Sequence, residues 1–141
     1  MLAGITAAMV AAGAAVKNAE RKILIENITQ ERAKWRDKVR TLAVDVHKAA
    51  VKGETAKLAE LKLSFATSLN PESRVDNLIL ELIERLKDQK DQQSKLDELS
   101  DRISLLLKHD WQRAKKEANP KEEIKVKRLT LAELKSHRAA C

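Results

Sequence analysis

The first 16 residues, MLAGITAAMVAAGAAV, carry no charged side chain, and every Lys, Arg, Asp and Glu of the chain follows them. As a helix, Leu2 to Val16 covers about 22 Å, against about 30 Å for the hydrocarbon core of a bilayer. Ile23, Leu24, Ile25 and Ile28 carry an apolar face past Lys17, and Lys17, Arg21 and Lys22 have stems long enough to snorkel toward headgroups. The stretch therefore reads as a membrane anchor, with Leu2, Ile5, Met9, Val10 and Val16 as its apolar contacts. Its cations come after the apolar run, which by the positive-inside bias puts the bulk of the chain on the cytoplasmic side of the bacterial inner membrane. Two other readings stand beside this one. A secretory signal would carry its cations first, and an alanine-rich run also packs closely between helices as a buried soluble helix.

Beyond the anchor the apolar positions keep a helical period. Nothing between Ala14 and Lys52 breaks a helix. From Trp35 the apolar residues recur in steps of four and three, through Val39, Leu42, Val46 and Ala49, which is a coiled-coil-like seam. Gly53 is expected just past the end of this helix, with Lys48 and Lys52 complementing its dipole. Leu58, Leu61, Phe65 and Leu69 predict a second helix over 54–69. Asn70-Pro71-Glu72 predicts the start of a third, with Asn as the cap and Pro in the first turn, running to about Lys87.

The stretch KDQKDQQSK at 87–95 has no apolar residue, and Ser94 with Asp97 resembles a capping box. A break is expected there, followed by a fourth helix over 95–118 whose stripe includes Leu96, Leu99, Ile103, Leu106, Leu107 and Trp111. Thr130 and Glu133 predict the cap of a last short helix, whose slight apolar face gives no warrant for packing. The fold class is all-α: an N-terminal hydrophobic helix, expected in a membrane, continues into a long helix and is followed by a small antiparallel bundle. The expected divisions are an anchor with its basic flank at 1–22, a helical bundle at 23–118 and a basic tail at 119–141.

Composition sharpens this in two ways. Aromatics are 2% of the chain and tyrosine is absent, so the core must be aliphatic, with Trp35, Phe65 and Trp111 as its only large anchors. Trp35, Val39, Phe65 and Trp111 are the residues expected at packing or partner contacts. The net charge is +7, and it is uneven: residues 17–52 carry 10 basic and 5 acidic groups, 53–111 carry 9 and 12, and 112–141 carry 9 and 4. Basic ends suit phosphate, whether of lipid or of nucleic acid. Arg32, Arg36 and Arg40, four residues apart, form the stripe expected to make that contact. The scarcity of stacking aromatics and the absence of a helix-turn-helix pattern favour anionic headgroups over nucleic acid.

The residues offer little for catalysis. His47, His109 and His137 have no second histidine at ligand spacing, and Cys141 is the single cysteine. There is no glycine-rich phosphate loop and no nucleophile-elbow pattern. His109 and Asp110 are neighbours, so on a helix they point about 100° apart and do not form a pair. No Glu stands three residues before a His, as a di-metal helical site needs. No cofactor, metal or small-molecule substrate is expected.

Three segments carry a resemblance: ENITQERAKWRDKVR at 26–40, LKLSFATSLNPES at 61–73 and LLLKHDWQRAKKE at 105–117. In this order they resemble a loose family of small uncharacterised bacterial proteins. Those have a membrane helix, a juxtamembrane I-T-x-E-R-x-K-W helix, a Leu-Asn-Pro turn and a final W-x-R-x-K helix. The resemblance covers about residues 1–118 and implies a single-pass inner-membrane protein with a cytoplasmic helical domain, some relatives lying among mobile-element or anti-phage genes. It brings no catalytic residue. The expected function is non-enzymatic: binding at the membrane, by docking a protein partner or by homo-oligomerisation. The alternatives are a soluble basic helical adaptor associated with nucleic acid, and a small membrane-active effector.

Overall fold

The computed structural model describes residues 2–118 and 129–140, with side chains from residue 11 onward. Its described residues form five helices and no strand: α1 (Leu2–Lys52), α2 (Thr55–Ala66), α3 (Arg74–Arg85), α4 (Gln92–Ala118) and α5 (Leu131–Ala139). The chain divides into two compact units, Met1–Lys34 and Trp35–Cys141.

Within the second unit, the 35–52 part of α1 buries the seam that the sequence predicts. Val39, Val46 and Ala50 are fully buried, and Leu42 and Ala49 nearly so. They meet Leu58, Leu61 and Phe65 from α2, Ile79, Leu82 and Ile83 from α3, and Leu96, Leu99 and Ile103 from α4 in one aliphatic core. Polar contacts fix the directions. Arg36 reaches Asp110 while Gln92 reaches the carbonyl of Ala50, so α1 and α4 run antiparallel. Trp35 bonds Ser68 beyond one end of α2 while Glu54, before the other, bonds Ala49, so α1 and α2 are antiparallel as well.

Each turn has a local cause. Gly53 takes φ +69°, its N–H donates to Ala50 O and that of Glu54 to Ala49 O, which together close α1 in a Schellman turn. The third helix starts later than expected. Ser73, not Asn70, is its cap: the Ser73 hydroxyl accepts from the Asp76 N–H at 3.3 Å, and the buried Asp76 carboxylate accepts from the Ser73 hydroxyl and the Asn70 N–H at 2.9 Å each. Asn70 instead folds its side chain onto the Glu72 N–H, an Asx turn that sets up the cap.

The break before α4 also moves. It spans 86–91, and Ser94 lies inside the helix. Asp91 adopts a left-handed φ of 52°, and Lys95 donates to the carbonyls of Arg85 and Asp88, capping the end of α3 with a cation. At the far end Thr130 and Glu133 form the reciprocal capping box predicted for α5. Against expectation, α5 packs on α4. None of its residues is buried, and it is held by Arg138, which bonds the buried Asp101 carboxylate.

The first unit is described by itself. Residues 11–24 are exposed throughout, including Val16, Ile23 and Leu24 at 57–59%. Among the described residues, no helix is long and apolar enough to cross a membrane. The expected transmembrane anchor is therefore not borne out. From Lys17 onward, Glu20, Arg21 and Lys22 interrupt the apolar run within one turn or so. The side chains of Leu2, Ile5, Met9 and Val10 lie outside the described residues.

Two outcomes follow from the packing. Phe65→Ala opens a cavity at a fully buried site and is expected to cost about 3–5 kcal/mol in urea unfolding. Leu63→Ala, two residues away but 67% exposed, should stay within about 0.5 kcal/mol.

Between α2 and α3, Lys62 and Lys87 both bond Glu84 and hold its carboxyl at about 2, below the ordinary 4.5. A depressed carboxylate stabilises the fold above its unfolded value and loses that contribution as pH falls toward the folded one. The thermal midpoint of Glu84→Gln should therefore lie below that of the unaltered protein at neutral pH, and the gap should close between pH 4.5 and about 2.

Candidate functional site

Arg36, Asp110, Trp111 and Lys115 form one group between α1 and α4 in the second unit, next to Trp35. Trp35 is half-buried against the core, and its indole Nε1 donates to the Ser68 carbonyl at 2.7 Å. One residue on, Arg36 turns inward. Its guanidinium donates to the Asp110 carboxylate at 3.0 Å, with side-chain exposures of only 10% and 16%. It also lies 5.3 Å from the centre of the Trp111 ring, and Lys115, one turn further along α4, lies 5.2 Å from it. Both cations use the negative face of the indole. Trp111 itself is half exposed, at 50%.

This arrangement corrects the expected role of Trp111. It is a surface side chain holding two cations, not a core anchor like Phe65. Its neighbours are charged: Arg36, paired with Asp110, lies over the ring. In the sequence Asp110 stood out only as the neighbour of His109, and Ser68 not at all. They lie 74 and 33 residues from their partners, and no local spacing signals such a pair.

The arginine stripe is divided accordingly. Arg36 is committed inside the bundle, and Arg40 is exposed and bonds Asp37 at 2.8 Å on its own helix. Arg32 is half-buried and belongs to the first unit. Val39 and Phe65 are fully buried in the core.

A shallow apolar groove of about 380 Å³ runs between α1 and α4, lined by Ala43, Val44 and His47 on one side and Leu96, Leu99 and Ile103 on the other. Among the described residues no group of three or more His, Cys, Asp or Glu side chains is placed to hold a metal ion.

The first unit also exposes apolar side chains. Val16, Ile23, Leu24 and Ile28 are 39–59% exposed on a helix whose polar side chains pair along its own length, Lys22 with Glu26 and Lys34 with Glu31. Such i,i+3 and i,i+4 pairs add only tenths of a kcal/mol to a helix. The chain matches no protein-family model, and comparison with curated proteins and with solved structures finds no match.

Removing the Asp110 carboxylate strands the Arg36 charge. Asp110→Ala is expected to lower stability by about 3 kcal/mol in denaturant titrations. Trp35→Phe, which removes the bond to Ser68 and part of the ring packed on the core, should cost about 1–3 kcal/mol in the same titration.

Proposed function

We propose that this is a non-enzymatic helical protein that works by binding, with the bundle as its folded base and the N-terminal stretch of α1 as its attachment element. The observation that carries this reading is the contrast in burial. The bundle encloses its apolar seam, whereas Val16, Ile23, Leu24 and Ile28 remain open to solvent. Exposed apolar side chains grouped along one stretch of helix are the mark of an interaction surface. The 15 uncharged residues from Leu2 to Val16 and the cations at Lys17, Arg21 and Lys22 favour attachment at an anionic membrane surface, by a protein partner docked there or by self-association. The likeness of the 26–40, 61–73 and 105–117 segments to small inner-membrane proteins adds the same expectation. The net charge of +7 supports an anionic surface over a cationic one.

The test is fractionation of the full chain beside a Val16→Asp, Ile23→Asp double variant. The unaltered protein is expected in a membrane or high-mass fraction. The variant should shift to the free fraction with an unchanged thermal midpoint, because both positions lie outside the core. Identical fractionation of the two proteins would remove the attachment role.

A further inference from the structure

The N-terminal stretch carries a repeat that names its partner. Leu2, Ile5, Met9, Ala12, Val16, Ala19 and Ile23 follow one another in steps of three and four without a gap. This is the a and d spacing of a coiled coil, with Leu2, Met9, Val16 and Ile23 at a. The four charges within the same span, Lys17, Glu20, Arg21 and Lys22, all fall between these positions and none occupies one. The repeat stops on polar residues, since the next two positions are Glu26 and Gln30.

The bundle seam is a different one. Continuing the steps from Ile23 leads through Glu26, Gln30 and Ala33 to Asp37, whose side chain is 77% exposed, and misses Trp35 and Val39. Of the first seam, Ala12, Val16, Ala19 and Ile23 have described side chains, and all four are exposed among the described residues.

We propose that this seam is a homodimerisation element, pairing residues 2–23 of two copies of the chain in a parallel two-stranded coiled coil. The proposal rests on the attachment reading above and specifies its partner. A seven-residue repeat is matched by a second helix with the same repeat, whereas lipid solvates every face of a helix alike and selects no seam. Four charges beside Val16, Ala19 and Ile23 also suit an aqueous coiled coil, where such positions stay wet. Parallel pairing lays the uncharged halves together, while antiparallel pairing sets Lys17, Arg21 and Lys22 of one copy over the uncharged half of the other. Ala12 and Ala19 at d allow two helices to approach closely, with Val16 and Ile23 at a beside them. The element is about 33 Å long. A buried strip of that length removes roughly 1,000 Å² from two chains together, which reaches the lower bound for a specific interface.

The test uses the full chain with Cys141→Ser as background. Val16→Cys should form a disulfide-linked dimer under mild oxidation at least about tenfold faster than Lys17→Cys, which lies off the seam. Sedimentation should give a dimer, and Ile23→Asp should weaken it about tenfold or more. Equal cross-linking at the two positions overturns the proposal, as does a dimer untouched by Ile23→Asp. A chain that stays monomeric up to about 100 μM but floats with phosphatidylglycerol vesicles overturns it too, while leaving the attachment reading standing. A chain that neither dimerises nor floats, and whose fractionation ignores the Val16→Asp, Ile23→Asp change, removes both.

Discussion

Val39, Leu42, Val46 and Ala49 are buried to 9% exposure or less on one face of α1, and α2, α3 and α4 take their positions from that face. With aromatics at 2%, no large ring fills gaps at the centre except Phe65, so the fit depends on short aliphatic side chains meeting at helix–helix distances. That constraint fixes how many helices the seam can serve. Three helices surround it, and α5 attaches to α4 through an Arg138–Asp101 pair without a buried residue of its own.

The turns between these helices are decided by single polar groups. Glycine at residue 53 adopts a left-handed φ of +69°, which lets two carbonyls at the end of α1 find donors. Ser73 prevails over Asn70 as a cap because Asp76, three residues on, completes a closed set of bonds with it, whereas Asn70 and Pro71 are left to shape the turn before. Ser94 loses to an earlier start because Gln92 is tied to the Ala50 carbonyl, drawing the first turn of α4 back toward the end of α1.

These cases define what the sequence made legible. The all-α class, the seam from Trp35, the stop at Gly53 and the cap at Thr130 rest on spacing within one or two turns, and local spacing is enough to find them. Helix starts moved by a few residues where two caps competed, since the winner depended on tertiary bonds. The Arg36 site was not legible. An arginine four residues from Arg32 and Arg40 has the pattern of a surface stripe, and only a carboxylate 74 residues away turns it inward. Nor does the spacing of Trp111 within its helix show that it stands half exposed with Arg36 and Lys115 over its ring.

The start of α1 poses a different physical problem. An isolated helix gains little from each added residue and owes most of its persistence in proteins to packing of an apolar face. Residues 11–24 have no buried side chain, so their helical state draws on alanine propensity and on exposed pairs worth tenths of a kcal/mol each. Exposed Val16 and Ile23 meanwhile forgo the free energy that burial returns, roughly 25 cal/mol for each Å² of apolar surface removed from water. Both deficits are relieved by the same event, contact of one apolar face with another. The distribution of charge selects which face that is: Lys17, Glu20, Arg21 and Lys22 leave the line through Val16, Ala19 and Ile23 clear. Alanine-rich helix, wet charges and a clear apolar line are the features on which the proposed pairing with a second helix rests.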